Sequence, residues 1–287
     1  MLTIYNHESD MRSRGLSTYL IQALMLLVVG IGMLVYNINN SLANFEYALA
    51  SICIIYVVVV PIITMKSISE ERKQHTDILL YSLPITAWDI VLGKFLAIAS
   101  EIFMPLLITC VYPIVIRQYG DVYLPAAYGT IFAFFLLGAS FIAVGIFISS
   151  LTENQGIAAG ITAAFIALDY FIVSLTEYVS STVLGSIIVL EIIVILLSLV
   201  LRSMTKNNII ALIFFGIVEV IMLIFFIANK TVYEGLVPSI MENISLYSRF
   251  YNFVNGVFDI TSVVYYISVI GLFLFLTVQS LDKRRYN

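Results

Sequence analysis

The chain has 287 residues, of which 61% are hydrophobic and only 11% charged, with 14 Lys and Arg against 18 Asp and Glu. A mean hydropathy of +1.03 with so few charges excludes a soluble globular domain, in which about a quarter of residues are charged. Cys53 and Cys110 both fall inside apolar runs; they form neither a disulfide framework nor a metal-ligand spacing and read as small buried hydrophobes.

The polar start, "MLTIYNHESDMRSRG", carries both signs of charge and leads into an apolar run too long for a cleaved signal. Eight apolar runs of about 20 residues follow, each long enough to cross a hydrocarbon core of about 30 Å. They lie near Leu16–Tyr36, Tyr47–Met65, Phe95–Ile116, Ala126–Ser149, Ala158–Glu177, Val183–Leu201, Ile209–Ala228 and Ile260–Ser280. Backbone groups in lipid must be satisfied internally, so these runs are helices. The expected fold class is therefore all-α: one polytopic membrane bundle of about eight spans over residues 1–287, with no room for a large extramembrane domain.

Orientation follows from Lys and Arg. With the N-terminus in the cytoplasm, Arg12, Arg14, Lys66, Arg72, Lys73, Lys94, Arg202, Lys206, Lys283, Arg284 and Arg285 are inside, and only Arg117, Lys230 and Arg249 outside. That bias obeys the positive-inside rule. Both termini and the 66–94 connection are expected in the cytoplasm, with residues 178–182 outside.

The connection is unusual. The 27 residues Ile68–Lys94 hold seven of the 32 charged side chains: Glu70, Glu71, Arg72, Lys73, Asp77, Asp89 and Lys94. Thr76 is placed to cap a short helix, "TDILLYSL", with Asp77 at its N-terminus and Pro84 ending it. Thr86 and Asp89 have the spacing of a capping box that opens the next helix. Leu79, Leu80 and Leu83 give the short helix an apolar side. Such a helix either lies on lipid headgroups or docks against a protein.

The stretch "ITMKSISEERKQHTDILLYSLPITAWDIVLGKFLA" resembles the first cytoplasmic loop of ABC-2 type permeases, in particular the gliding-motility-like branch. The residues that match are Ile63, Thr64, Met65, Glu70, Glu71, Thr76, Leu79, Leu80, Pro84, Leu92, Gly93, Lys94 and Phe95. His75 stands where that pattern usually has Gly. The end of the chain is similar to the family's end at Arg249, Phe250, Phe253, Gly256, Asp259 and Tyr265, and "SSLTENQ" (149–155) is a third, weaker match.

The resemblance implies the membrane subunit of an ATP-binding cassette transporter, with the 76–83 helix as the coupling helix that docks on an ATPase. Glu70, Glu71, Thr76, Leu79, Leu80, Leu83 and Pro84 would carry the coupling. No G-x-x-x-x-G-K-[ST] phosphate loop occurs in the chain, so ATP and Mg belong to a separate ATPase, in two copies, beneath two permease chains, alike or related. The lipid bilayer is the surrounding partner; no nucleic acid is expected. The setting implied is a bacterial cell membrane. Residues 1–15 would form the family's interfacial connecting helix, with a frayed tail as the alternative. The family pattern has six spans, which leaves residues 183–228 as an added hairpin.

Three further acids, Asp169, Glu191 and Glu219, fall near the middle of successive spans, where charging a carboxyl costs at least about 2.5 kcal/mol. They are either protonated and hydrogen-bonded between helices or face a wet path. Glu101 lies nearer the end of its span and reads as snorkelling. In the outer segment, 229–259, Leu246, Phe250, Phe253 and Val257 share a helical face, which fits an aromatic belt, a re-entrant helix or a lid.

Two functions follow. One is an ATP-driven permease that exports or extracts a lipid-soluble or amphipathic substrate. The alternative is a proton-coupled secondary transporter working through Asp169, Glu191 and Glu219. An intramembrane hydrolase is disfavoured, since no H-E-x-x-H occurs and His7 and His75 both lie outside the spans.

Overall fold

The computed structural model describes residues 1–40, 42–76, 85–179, 181–205, 208–228 and 230–285. Among them no strand occurs. The helices are α1 (Leu2–Ser13), α2 (Leu16–Met33), α3 (Phe45–Ile52), α4 (Tyr56–Thr64), α5 (Ser69–Lys73), α6 (Ala87–Thr109), α7 (Tyr112–Ile116), α8 (Leu124–Leu151) and α9 (Gln155–Thr176). They continue with α10 (Val183–Thr205), α11 (Asn208–Ala228), α12 (Leu236–Ile244), α13 (Leu246–Val254) and α14 (Ile260–Arg285).

Among the described residues, six helical stretches are long and apolar enough to cross a membrane: Leu16–Asn39, Phe45–Lys73, Ala87–Ile116, Leu124–Leu151, Gln155–Thr176 and Ile260–Arg284. Two shorter apolar stretches, Val183–Leu199 and Leu212–Ile227, lie in the hairpin that the sequence sets apart. The fold is thus the expected helical membrane bundle. Two boundaries differ from expectation. The second stretch has 29 residues and the third 30, some ten more than the roughly 20 that cross the hydrocarbon. Residues 69–73 and 87–94, expected as connection, are therefore helical, the first as the separate short helix α5 and the second as the start of α6.

The chain divides into two compact units, Met1–Tyr170 with Leu246–Asn287, and Phe171–Ser245. The first is organised around α8, whose Phe134, Leu137, Phe141 and Ile142 have no exposed surface. Tyrosine hydroxyls buried in this core each donate to a backbone carbonyl: Tyr56 to Phe134 at 2.8 Å, Tyr247 to Cys53 at 2.9 Å and Tyr266 to Leu246 at 2.9 Å. A buried hydroxyl needs such a partner, and these bonds add direction to the apolar contact between the helices.

In the second unit, α10 and α11 pack as a hairpin. Tyr233, which is buried, donates to Met222 O at 2.8 Å, and Gly235 N–H donates to Ser181 O at 3.0 Å.

Candidate coupling and ligand site at one end of the bundle

The site begins with a face of α1. Ile4, Glu8 and Arg12 are spaced i, i+4, i+8 and share one side of that helix. Ile4 seats against Gly93, where a Cβ would stand 2.8 Å from Ile4 Cγ2. Lys94 Nζ donates to Glu8 Oε1 at 2.6 Å, and Arg12 Nη1 donates to Glu101 Oε1 at 3.1 Å and to Ile63 O at 3.3 Å. Residues 4, 8 and 12 thus meet 93, 94 and 101 in order, so α1 runs parallel to the first half of α6. This gives the Gly93–Lys94 pair a physical account: the glycine lets the helix approach and the lysine anchors it.

Lys94 is only 2% exposed and also donates to Glu71 Oε1 at 2.6 Å. One ammonium therefore joins three elements: α1, α5 and α6. Burial acts to raise the Glu8 carboxyl. The charge and hydrogen bond of Lys94, with Arg12 beside it, outweigh burial and hold Glu8 below its ordinary value of 4.5. Glu101, expected to snorkel, is instead 6% exposed and paired to Arg12. A carboxylate with a guanidinium within reach gains more from that pair than from stretching toward water.

The short helix α5 is fixed at both ends. At its start, Ser149 Oγ of α8 accepts from Ile68 N at 3.2 Å and Ser69 N at 3.1 Å and donates to Met65 O at 3.2 Å. At its end, Thr76 N–H reaches Glu71 O at 2.9 Å and His75 N–H reaches Arg72 O at 3.2 Å, the two bonds of a Schellman motif. His75 occupies its left-handed position, φ 55°, which accounts for a glycine-preferring position in the family pattern. Thr76 is thus the closing residue of α5, its Oγ also donating to Glu71 O at 3.3 Å. Glu70 accepts from Gln74 at 3.3 Å.

The expected capping box at the start of α6 is present: Asp89 N–H donates to Thr86 Oγ1 at 3.2 Å and Thr86 N–H to Asp89 Oδ2 at 3.3 Å. Asp77, Leu79, Leu80, Leu83 and Pro84, and with them the predicted helix 76–83, lie outside the described residues.

The remaining candidates sit elsewhere. Asp169 Oδ1 accepts from Leu246 N at 3.0 Å and Oδ2 from Tyr247 N at 3.3 Å, so its carboxylate caps the N-terminus of α13, where the helix dipole favours negative charge. Glu191, in the second unit, is exposed. Glu219, in the same unit, is half-buried, and its Oε1 has no hydrogen-bond partner among the described residues.

In the outer segment Phe250 and Phe253 are buried, Phe250 against Phe134 with ring centroids 6.0 Å apart. The guanidinium of Arg249 stands 5.0 Å above the Tyr265 ring. Leu246 is buried with the two phenylalanines, but Val257 is 58% exposed. The expected four-residue face stops at Val254 because Gly256, at φ 78°, turns the chain in a second Schellman motif: Gly256 N–H to Phe253 O at 2.9 Å and Val257 N–H to Asn252 O at 3.1 Å. Asp259 then caps α14, accepting from Thr261 N at 2.9 Å and Ser262 N at 3.2 Å.

Beside the Lys94 brace lies a half-open cleft of about 890 Å³, walled by α1, the start of α2, the end of α4, α5 and α6. Sequence reasoning missed both the brace and the cleft. The i, i+4 spacing of Glu8 and Arg12 was readable, but Lys94 stands 86 positions from Glu8.

Residues 2–184 match the family described as ABC-2 family transporter protein. No curated protein matches the chain. The match spans well over half of the sequence, and the chain belongs to this family, whose members are membrane permease components of ABC transporters. It is an integral membrane protein of that class, which is generally non-catalytic and associates with an ABC ATPase.

Proposed function

We propose that this ABC-2 family member is the permease subunit of a two-plus-two ABC transporter, and that residues 66–94 dock on the ATPase and drive the bundle. The observation that carries the reading is Lys94. A lever must be stiff to convert a push into helix movement, and one buried ammonium fastens α5 to both α1 and α6 immediately before the predicted docking helix. The serine bridge and the Schellman motif at the two ends of α5 support the same reading.

On this account Leu79, Leu80 and Leu83 make the apolar contact, Glu70, Glu71 and Thr76 hold the helix leading to it, and Pro84 ends it. ATP and Mg bind the ATPase, in two copies. Two permease chains, alike or related, enclose the path, in the cell membrane of a bacterium with both termini cytoplasmic. The resemblance of residues 63–95 and 249–265 favours the gliding-motility-like branch. The substrate class is an amphipathic or lipid-soluble molecule, moved outward or extracted from the bilayer. Asp169 serves as a helix cap rather than a proton carrier, since both its oxygens are engaged by backbone N–H groups.

The test is purification of the tagged chain from its native source. An ABC ATPase recovered in a one-to-one ratio with a chain present twice supports the proposal. A stable, transport-active chain recovered without any ATPase contradicts it.

A further inference from the structure

The second apolar stretch, Phe45–Lys73, is not one continuous α-helix. Between α3 and α4 the residues Cys53–Ile55 form a single 3₁₀ turn, in which Tyr56 N–H reaches back three residues to Cys53 O. A tighter turn inside a long helix is a common mark of a hinge. The two halves also rest on different neighbours. Besides α8, α3 lies against α13 and against α2, where a Cβ on Gly32 would stand 2.9 Å from Ile52 Cγ2. α4 lies along α8, with Tyr56 over Gly138 and Thr64 over Gly145, and the Tyr56 hydroxyl donates to Phe134 O at 2.8 Å. These seats at both ends hold α4 in place past Pro61, which has no N–H to give to Val57 O.

At the turn itself, Cys53 O accepts a second hydrogen bond, from the hydroxyl of Tyr247 on α13 at 2.9 Å. Tyr247 is buried, its ring centroid 5.3 Å from that of Phe141 and 5.0 Å from that of Tyr170. We propose that Cys53–Ile55 is a hinge in the second span and that the Tyr247 hydroxyl is its latch. With the bond made, α3 and α13 are tied together at the turn. With it broken, α3 swings about residues 53–55 while α4 stays seated on α8. α4 leads into the 66–94 connection, so what drives the hinge rests on the transporter reading. The hinge itself is tested on the permease chain alone, and a missing ATPase and a missing hinge are read separately.

Cys53 is 1% exposed at the turn, and its thiol reports the opening. The experiment measures alkylation by N-ethylmaleimide of the purified full-length chain in a neutral maltoside detergent, with Cys110→Ala leaving Cys53 as the one thiol. A buried group reacts through transient opening, at a rate that follows the population of the open form. Tyr247→Phe keeps the ring and deletes the latch. It is expected to raise the rate about fivefold, the effect of one ordinary hydrogen bond on the opening equilibrium. Tyr266→Phe deletes the same group at a carbonyl of α13 away from the turn, Leu246 O, and is expected to change the rate less than about twofold.

Equal acceleration by the two variants, or none with Tyr247→Phe, would overturn the proposal. Hydrogen exchange of the chain without substitutions is the second measurement, and it stands even if a variant fails to fold. Amides 53–57 are expected to exchange about tenfold faster than those of 48–51 and 58–64 on either side. Uniform protection from 48 to 64 would overturn the hinge.

Discussion

Replacing Lys94 by Met removes a charge while keeping most of the volume and the aliphatic stem. Lys94 is 2% exposed, and the carboxylates it leaves behind have side-chain exposures of 12% for Glu8 and 24% for Glu71. Breaking a buried pair by deleting one partner costs about 3–5 kcal/mol, because the other charge stays buried. Arg12 still faces Glu8 at 3.6 Å and water reaches Glu71, so the lower end, about 3 kcal/mol, applies. At about 2–4 °C per kcal/mol for a chain of this size, Tm falls by roughly 6–12 °C in thermal unfolding of the detergent-solubilised protein. Adding Glu8→Gln removes one stranded carboxylate and recovers part of the loss.

The pH dependence has a definite sign. A carboxyl held below its ordinary value stabilises the fold above that value, and the contribution is lost as pH falls through its folded-state value. Wild type therefore loses stability as pH falls below about 4.5, and Lys94→Met loses less over the same window. A Lys94→Met chain with Tm within about 1 °C of wild type, and no recovery from Glu8→Gln, would refute the brace.

Three other outcomes follow from the geometry. His75→Gly relieves a left-handed backbone and raises stability by about 1 kcal/mol, whereas Gly256→Ala at the equivalent position after α13 lowers it by about 1–2 kcal/mol; paired thermal melts of the two variants check both signs. Asp169→Asn keeps one acceptor oxygen of two and costs about 1 kcal/mol in the same melts, and transport per folded molecule is unchanged if Asp169 is a cap. A cysteine placed at Tyr178, which is 85% exposed, reacts with an impermeant maleimide added outside intact cells, and one at Lys66 reacts only after permeabilisation; the reverse pattern inverts the topology.

The apolar runs read directly as helices because each exceeds the length of the hydrocarbon core and lipid leaves the backbone no alternative. The Thr86–Asp89 box was equally legible, being a local pattern with a local cause. What escaped is nonlocal. The helical form of residues 69–73 and 87–94 depends on Ser149, some eighty positions away, and on the docking of α1. The role of Lys94 depends on Glu8, which no spacing rule connects to it.

Asp169 looked like an isolated intramembrane charge because its donors, the backbone N–H groups of Leu246 and Tyr247, are invisible to side-chain patterning. Val257 continued the 3.6-residue period of Leu246, Phe250 and Phe253, but Gly256 interrupts the helix first. His75 departs from the glycine of the family pattern, and its positive φ is the reason the departure matters.

The central claim is that residues 76–83 couple this permease to an ATPase through their leucines. Interface energy concentrates in a few buried side chains, each worth about 2 kcal/mol or more on truncation, whereas an exposed ion pair contributes only about 0–1 kcal/mol. The decisive measurement is ATPase co-purification and substrate-dependent ATP hydrolysis for Leu79→Asp with Leu83→Asp, beside Lys73→Gln. The account predicts that the double variant inserts normally but loses the ATPase or its substrate-dependent turnover, while Lys73→Gln keeps both near wild type. A double-Asp permease that retains its ATPase and full coupled turnover would contradict it.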